Sequence, residues 1–261
     1  MRRVVPKCLG MGFQALTYLY LLAPILIVIP VSFSNATYLV FPPRGFSLRW
    51  YVNFFSLREL TDALLLSVRL AVAVTGAATV IGTMAAFALV RYHVLFRNSV
   101  RTLLMSPMVL PGVVLGIGFL IFFTRTRIIH TFWSLWLAHV IVALPYVVRT
   151  VSATLVNFPR VLEEAGASLG ASPVAVFRTV TLPIAKPGIM AGAIFAFIVS
   201  FDELVISIFL TGPRLSTLPV EIYNYLEFTS DPTLAAISVI LILLTVIAVA
   251  LLERFVGFNV V

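Results

Sequence analysis

The feature that most constrains this chain is a series of apolar runs between charges, each close to the length that crosses a bilayer. Lys7 to Arg44, Arg69 to Arg91, Arg101 to Arg125, Arg127 to Arg149 and Asp231 to Glu253 bracket stretches with no charged residue inside them. A helix needs ~20 apolar residues to span the hydrocarbon core. A sixth run, Pro187 to Leu210, is interrupted only by Asp202 and Glu203. Backbone groups in lipid must be satisfied within their own segment, so these runs predict helices, and no alternation of the barrel type is present. The composition agrees, with 61% hydrophobic and 11% charged residues. The expectation is an all-α membrane protein with about six transmembrane helices, falling near 13–34, 63–90, 102–124, 131–150, 187–211 and 232–253. Residues 1–261 read as a single transmembrane domain.

The first run follows Arg2, Arg3 and Lys7, a pattern shared with signal peptides. Its length, the lack of a small-residue cleavage pattern and the five further runs favour a first span. The lone Cys8 forms no intrachain disulfide. The formal charge of +8 follows topology rather than a nucleic-acid footprint. With both termini cytoplasmic, Arg2, Arg3, Lys7, Arg91, Arg97, Arg101, Arg149, Arg160, Arg178, Lys186 and Arg254 lie inside. The outside holds Arg44, Arg49, Arg58, Arg125, Arg127 and Arg214, nearly balanced by Glu59, Asp62, Glu221, Glu227 and Asp231. Excess cations mark the cytoplasmic side.

Three connections are long. Ser34 to Thr61 holds an aromatic stretch from Trp50 to Phe55, and Thr211 to Pro232 predicts a short surface helix over Leu218 to Phe228, either an interfacial anchor or a partner contact. The third, Ser152 to Lys186, reads as two short helices. Leu162 to Leu169 carries apolar residues at helical intervals, with Glu163 and Glu164 in its first turn, where the dipole favours acids. Gly170 stops it, Ser172-Pro173 caps a second helix, and Leu182-Pro183 ends that helix before the fifth span. This knuckle suits docking into another protein's groove or packing on its own bundle.

Glu164-Ala165-Gly166, then Gly170 after three residues, then Val180-Thr181-Leu182-Pro183 after nine more, resembles the EAA loop of binding-protein-dependent ABC importer permeases. The pattern departs at Gly166, where Ala is usual, and at Val180, where Ile is usual. The resemblance implies the type I ABC importer permease fold, with this loop over 152–186 as a cytoplasmic coupling element. It carries Glu164, Ala165, Gly166 and Gly170 over as contacts to an ATP-binding subunit dimer, with Glu163 a neighbour that pairs with a base. It implies a second permease subunit and an extracytoplasmic solute-binding protein as further partners in the bacterial inner membrane. Phe46 to Tyr51, Ser200-Phe201-Asp202-Glu203-Leu204 and Phe209-Leu210-Thr211-Gly212-Pro213 are similar to the spermidine/putrescine branch. Iron, molybdate, sulfate and phosphonate are the alternative solutes.

No phosphate-cradling loop ending in Gly-Lys-Ser/Thr is present, so no cofactor is expected in this chain, and ATP and magnesium belong to the partner subunit. His93, His130 and His139 lie in separate segments and read as structural rather than as metal ligands. A carboxylate at membrane depth costs ~2.5–3.5 kcal/mol, so Asp202 and Glu203 should face water or a cation. Adjacent helical residues diverge by about 100°, so one lines the path while the other bonds a neighbouring helix, and the resemblance of the Ser200 to Leu204 block favours Asp202 for the path. The competing reading is a structural salt bridge to Arg69. Tyr223 and Tyr225 are candidates for the entrance by cation–π attraction. Pro107, Pro111 and Pro145 should kink their spans and turn those faces inward. A secondary transporter would require inverted repeats with paired broken helices, and a membrane enzyme would require a nucleophile or metal cluster.

Overall fold

A computed structural model describes residues 7–229 and 231–256, which leaves Arg2 and Arg3 of the charge distribution outside it. Among the described residues the regular secondary structure is helical, and five helices are long and apolar enough to span a membrane. In order they are α1 (Lys7–Ser32), α2 (Arg49–Ser56), α3 (Arg58–Arg91), α4 (Arg97–Val109), α5 (Gly112–Arg125) and α6 (Phe132–Val156). Then follow α7 (Val161–Ser168), α8 (Pro173–Val176), a π-helical turn (Phe177–Thr181), α9 (Leu182–Phe201), α10 (Val205–Leu210), α11 (Leu218–Phe228) and α12 (Thr233–Val256).

The described residues divide into two compact units, one within 1–61 and 222–244 and the other within 62–221 and 245–261. In the first, Trp50 and Phe54 on one face of α2 are buried, and the Trp50 indole donates to the Ser34 carbonyl at 2.8 Å. The second holds the main core, built from Leu70, Val74 and Ala78 of α3, Leu135, Val147 and Leu155 of α6, and Ala196, Ile206 and Leu210 of α9 and α10. Here α6 and α9 touch through glycine. A Cβ at Gly192 would stand 2.9 Å from the Val147 Cα, and one at Gly188 would strike the Thr154 hydroxyl and lie 2.9 Å from the Thr150 carbonyl. Small residues that let backbones approach are the usual device where lipid supplies no hydrophobic drive between helices.

Two expected spans are not single helices. The run over 102–124 breaks at Leu110-Pro111 into α4 and α5, which meet at 105°. Pro111 lacks an N–H and forces Leu110 to an extended ψ of 139°, so the helix ends before it. Pro107, in contrast, stays inside α4. It cannot donate to the Leu103 carbonyl, and the Ser106 hydroxyl does so instead at 2.8 Å. Pro145 lies buried within a continuous α6, its face turned inward as expected.

The run over 187–211 differs at both ends. Leu182-Pro183 does not end the knuckle's second helix, contrary to the sequence expectation. The helix widens into the π turn, where the Leu182 N–H reaches back five residues to the Phe177 carbonyl, and so passes the proline whose missing N–H would have interrupted it. One helical span therefore runs from Pro173 to Phe201. At its far end the acid pair itself, Asp202-Glu203-Leu204, separates α9 from α10.

Candidate functional site

The sequence singles out two pairs of adjacent acids, and the Pro173–Phe201 helix connects the segments that carry them. At one end stands the knuckle. Gly170 adopts φ +82°, the left-handed conformation that lets the chain reverse after α7, and the Ser172 hydroxyl accepts from the Ala175 N–H to start α8. Gly166 lets α7 lie close on α8, since a Cβ there would meet Val176 at 3.3 Å.

A reciprocal clasp fixes the knuckle to the end of α3. Arg91 Nε donates to Glu163 Oε1 at 3.0 Å, and the same guanidinium donates to the Phe158 carbonyl at 3.2 Å. Arg160 returns the contact, donating to the Val90 and Arg91 carbonyls at 3.0 and 2.7 Å, where a cation also meets the negative end of the helix dipole. Phe177 packs edge-on against Phe87 with centroids 5.3 Å apart. The base that sequence reasoning expected beside Glu163 is thus Arg91. Glu164, Ala165, Ala167 and Gly170 point away and are exposed, and Leu169 is 89% exposed.

At the other end, Asp202 closes α9 with φ −98° and ψ 7°, and its side chain is exposed. Glu203 turns back instead. Its carboxylate accepts from the Ile206 N–H at 3.0 Å and so caps α10, the helix that follows it, rather than bonding a neighbouring span. Among the described residues Arg69 forms no ion pair with either acid, and it is exposed on α3. The break is held from outside by a residue that sequence reasoning left as merely structural. His139 of α6 is 1% exposed, with Nδ1 3.0 Å from the Ser200 hydroxyl and Nε2 3.1 Å from the Ser207 hydroxyl. Ser207 uses its proton on the Glu203 carbonyl at 2.6 Å. It therefore accepts from Nε2–H, and a neutral imidazole with Nδ1 accepting from Ser200 satisfies the whole chain of hydrogen bonds. No short motif marks His139. A polar residue inside an apolar run, with two serines flanking an acid pair elsewhere, was the available signal.

On the opposite side of the break, α5 packs on α10 through glycine. A Cβ at Gly112 would sit 3.3 Å from Val205, and one at Gly116 would overlap the Phe209 ring. Tyr223 and Tyr225 belong to the other compact unit. Tyr223 is exposed, whereas the Tyr225 hydroxyl donates to Asp231 Oδ2 at 3.0 Å. Asp231 also accepts from the Thr233 N–H at the start of α12, and Asn53 of α2 donates to the Thr233 hydroxyl. Burial first, and the Asp231 carboxylate with it, pushes the Tyr225 phenol up, so it remains a neutral donor in this network.

The profile of the binding-protein-dependent transport system inner membrane component matches residues 78–257, well over half of the chain. The chain belongs to that family. This permease is 34% identical over 246 residues to the spermidine/putrescine transport system permease protein PotC of Escherichia coli strain K12, covering 94% of this chain and 93% of that one. It is 34% identical over 237 residues to the putrescine transport system permease protein PotI of the same strain, covering 87% and 83%. A putative 2-aminoethylphosphonate transport system permease protein, PhnV of Salmonella typhimurium strain LT2, is 28% identical over 247 residues, covering 94% and 92%. Among solved structures, a bacterial ABC transporter involved in the import of the acidic polysaccharide alginate superposes with a TM-score of 0.72 at 13% identity, covering 98% of this chain and 96% of that one. The MetNI methionine ABC transporter gives 0.59 at 21% identity, covering 75% and 91%. At those identities the solved structures establish the ABC importer permease fold. The permease is a multi-pass protein of the bacterial inner membrane, and its relatives are transport subunits, not enzymes.

Proposed function

We propose that this permease forms the path for a polyamine, spermidine or putrescine, in an ATP-driven importer. It presents the α7 knuckle to a separate ATP-binding dimer and Asp202 to the solute. The observation that carries the reading is the uninterrupted helix from Pro173 to Phe201, which joins a partly exposed knuckle to an exposed carboxylate. Glu164, Ala165 and Gly170 form the docking face, Gly166 permits the tight α7–α8 turn, and Glu163 holds the knuckle to the bundle through Arg91. ATP and magnesium bind in the partner, and this chain needs no cofactor of its own. A second permease completes the path, a solute-binding protein delivers from outside, and both termini lie in the cytoplasm.

Polyamines are flexible strings of ammonium groups, and an exposed acid in a membrane helix break is a site that attracts them. Similarity to spermidine/putrescine permeases supports the same class. Tyr223 is exposed and available to a cation at the entrance, whereas Tyr225 is committed to Asp231. The test is spermidine uptake by the reconstituted importer. Asp202→Asn lowers uptake at least about tenfold without loss of assembly, whereas Glu203→Gln, which still caps Ile206, lowers it less than about threefold. Unchanged uptake in Asp202→Asn would remove the acid from the path and favour a solute without multiple ammonium groups.

A further inference from the structure

His139 is a buried imidazole that touches neither Asp202 nor the docking face, yet it grips both lips of the helix break. Ser200 stands in the last turn of α9 and Ser207 in the first turn of α10, and the two ring nitrogens reach one hydroxyl each. Three residues of irregular backbone directly after a membrane-spanning helix need polar partners wherever water is excluded. Part of that comes from the break itself, through the Glu203 carboxylate on the Ile206 N–H and the Ser207 hydroxyl on the Glu203 carbonyl. Those bonds order α10 but do not tie it to α9. The tie is the imidazole, whose ring holds the two hydroxyls at a fixed separation. Its partners are as buried as it is, Ser200 at 4% and Ser207 at 0% exposure. Water does not substitute for it there.

We propose that His139 is a positioning residue for solute recognition: by clamping Ser200 to Ser207 across the break it fixes where the Asp202 carboxylate is presented. The inference rests on the reading of Asp202 as the path acid, and it adds the device that aims it. A leucine at 139 fills the space without either hydrogen bond, so the buried Ser200 hydroxyl loses its acceptor while Ser207 keeps its bond to the Glu203 carbonyl. A glutamine restores one donor and one acceptor. Ser207→Ala removes one side of the clamp together with the hydroxyl bond to the Glu203 carbonyl.

The test uses the complete importer in proteoliposomes with spermidine as solute. His139→Leu raises KM about tenfold with Vmax per assembled complex within about twofold, His139→Gln recovers most of the change, and Ser207→Ala raises KM about threefold. A bystander residue in the core would lower yield and Vmax and leave KM alone; that result, or an unchanged KM in both His139→Leu and Ser207→Ala, overturns the proposal. A second arm separates the clamp from the solute assignment. With Cys8→Ser and Asp202→Cys in place, a cationic methanethiosulfonate labels position 202. Its rate changes severalfold with His139→Leu and returns with His139→Gln. Should Asp202→Asn leave uptake intact, the path reading falls by itself, and an unchanged labelling rate then overturns the clamp as well.

Discussion

The two ends of the Pro173–Phe201 helix solve the same problem in the same way. Each end adjoins a pair of adjacent acids, Glu163-Glu164 and Asp202-Glu203, and in each pair one carboxylate is committed to the protein while the other is left exposed. The difference is the partner. Glu163 is held by the Arg91 cation, an ion pair whose side chains are only 11% and 21% exposed, whereas Glu203 is held by a backbone N–H at the start of α10. Breaking a pair this far out of water costs more than the ~1 kcal/mol or less of an exposed one. A helix cap contributes ~1 kcal/mol. Both ends are therefore held, the knuckle by charge on α3 and the acid pair by backbone at the start of α10.

The largest effect comes from breaking the connection between the two ends. Replacing both Thr179 and Val180 by Gly, at a cost of roughly 0.3–0.5 kcal/mol each in helix propensity and with added backbone freedom at the π turn, should leave ATP hydrolysis by the partner running while spermidine uptake falls by an order of magnitude or more. Paired ATPase and uptake assays on one preparation check it. Next is Glu164→Lys, which puts a cation on the exposed face proposed for docking and should abolish solute-stimulated ATPase activity, compared with Glu163→Gln, which exchanges the ion pair with Arg91 for a neutral hydrogen bond and should cost less than about fivefold. Equal losses in the two would erase the distinction between held and presented acids. Packing beneath both ends is tested by Gly192→Ala, whose Cβ would press on the Val147 backbone. Overpacking of this kind costs ~1–3 kcal/mol, read as a lower midpoint of thermal unfolding in detergent. The smallest effect belongs to Gly166→Ala, where Val176 Cγ2 at 3.3 Å has only to move a few tenths of an ångström. Coupled ATPase activity should stay within about twofold.

Much of this was legible in the sequence because charge-free runs, Gly170, Ser172-Pro173 and the Glu164 motif act locally, through chain length, φ and capping. The surface helix over Leu218 to Phe228 was found with its observed bounds for the same reason. What escaped were outcomes decided by tertiary partners. Pro107 and Pro111 look alike in the sequence, yet one stays in a helix because Ser106 supplies the missing bond and the other ends it. Pro183 reads as a stop and is bypassed by a π turn. Neither His139 nor its two serines announces itself, since their relationship spans some 60 residues and exists only after α6 and α9 pack.

The central claim is that the knuckle and the acid pair move as the two ends of one rod, and a distance along that rod tests it most directly. In a Cys8→Ser background, spin labels at the exposed positions Val174 and Phe195 should report a separation of ~31 Å, from 1.5 Å per residue over the intervening helix. The account expects one narrow distribution, unchanged within about 2 Å, with the partner ATPase empty, ATP-bound or trapped after hydrolysis. A second population, or a shift of more than about 5 Å between those states, would show the helix folding at the π turn and would contradict rigid transmission from Glu164 to Asp202.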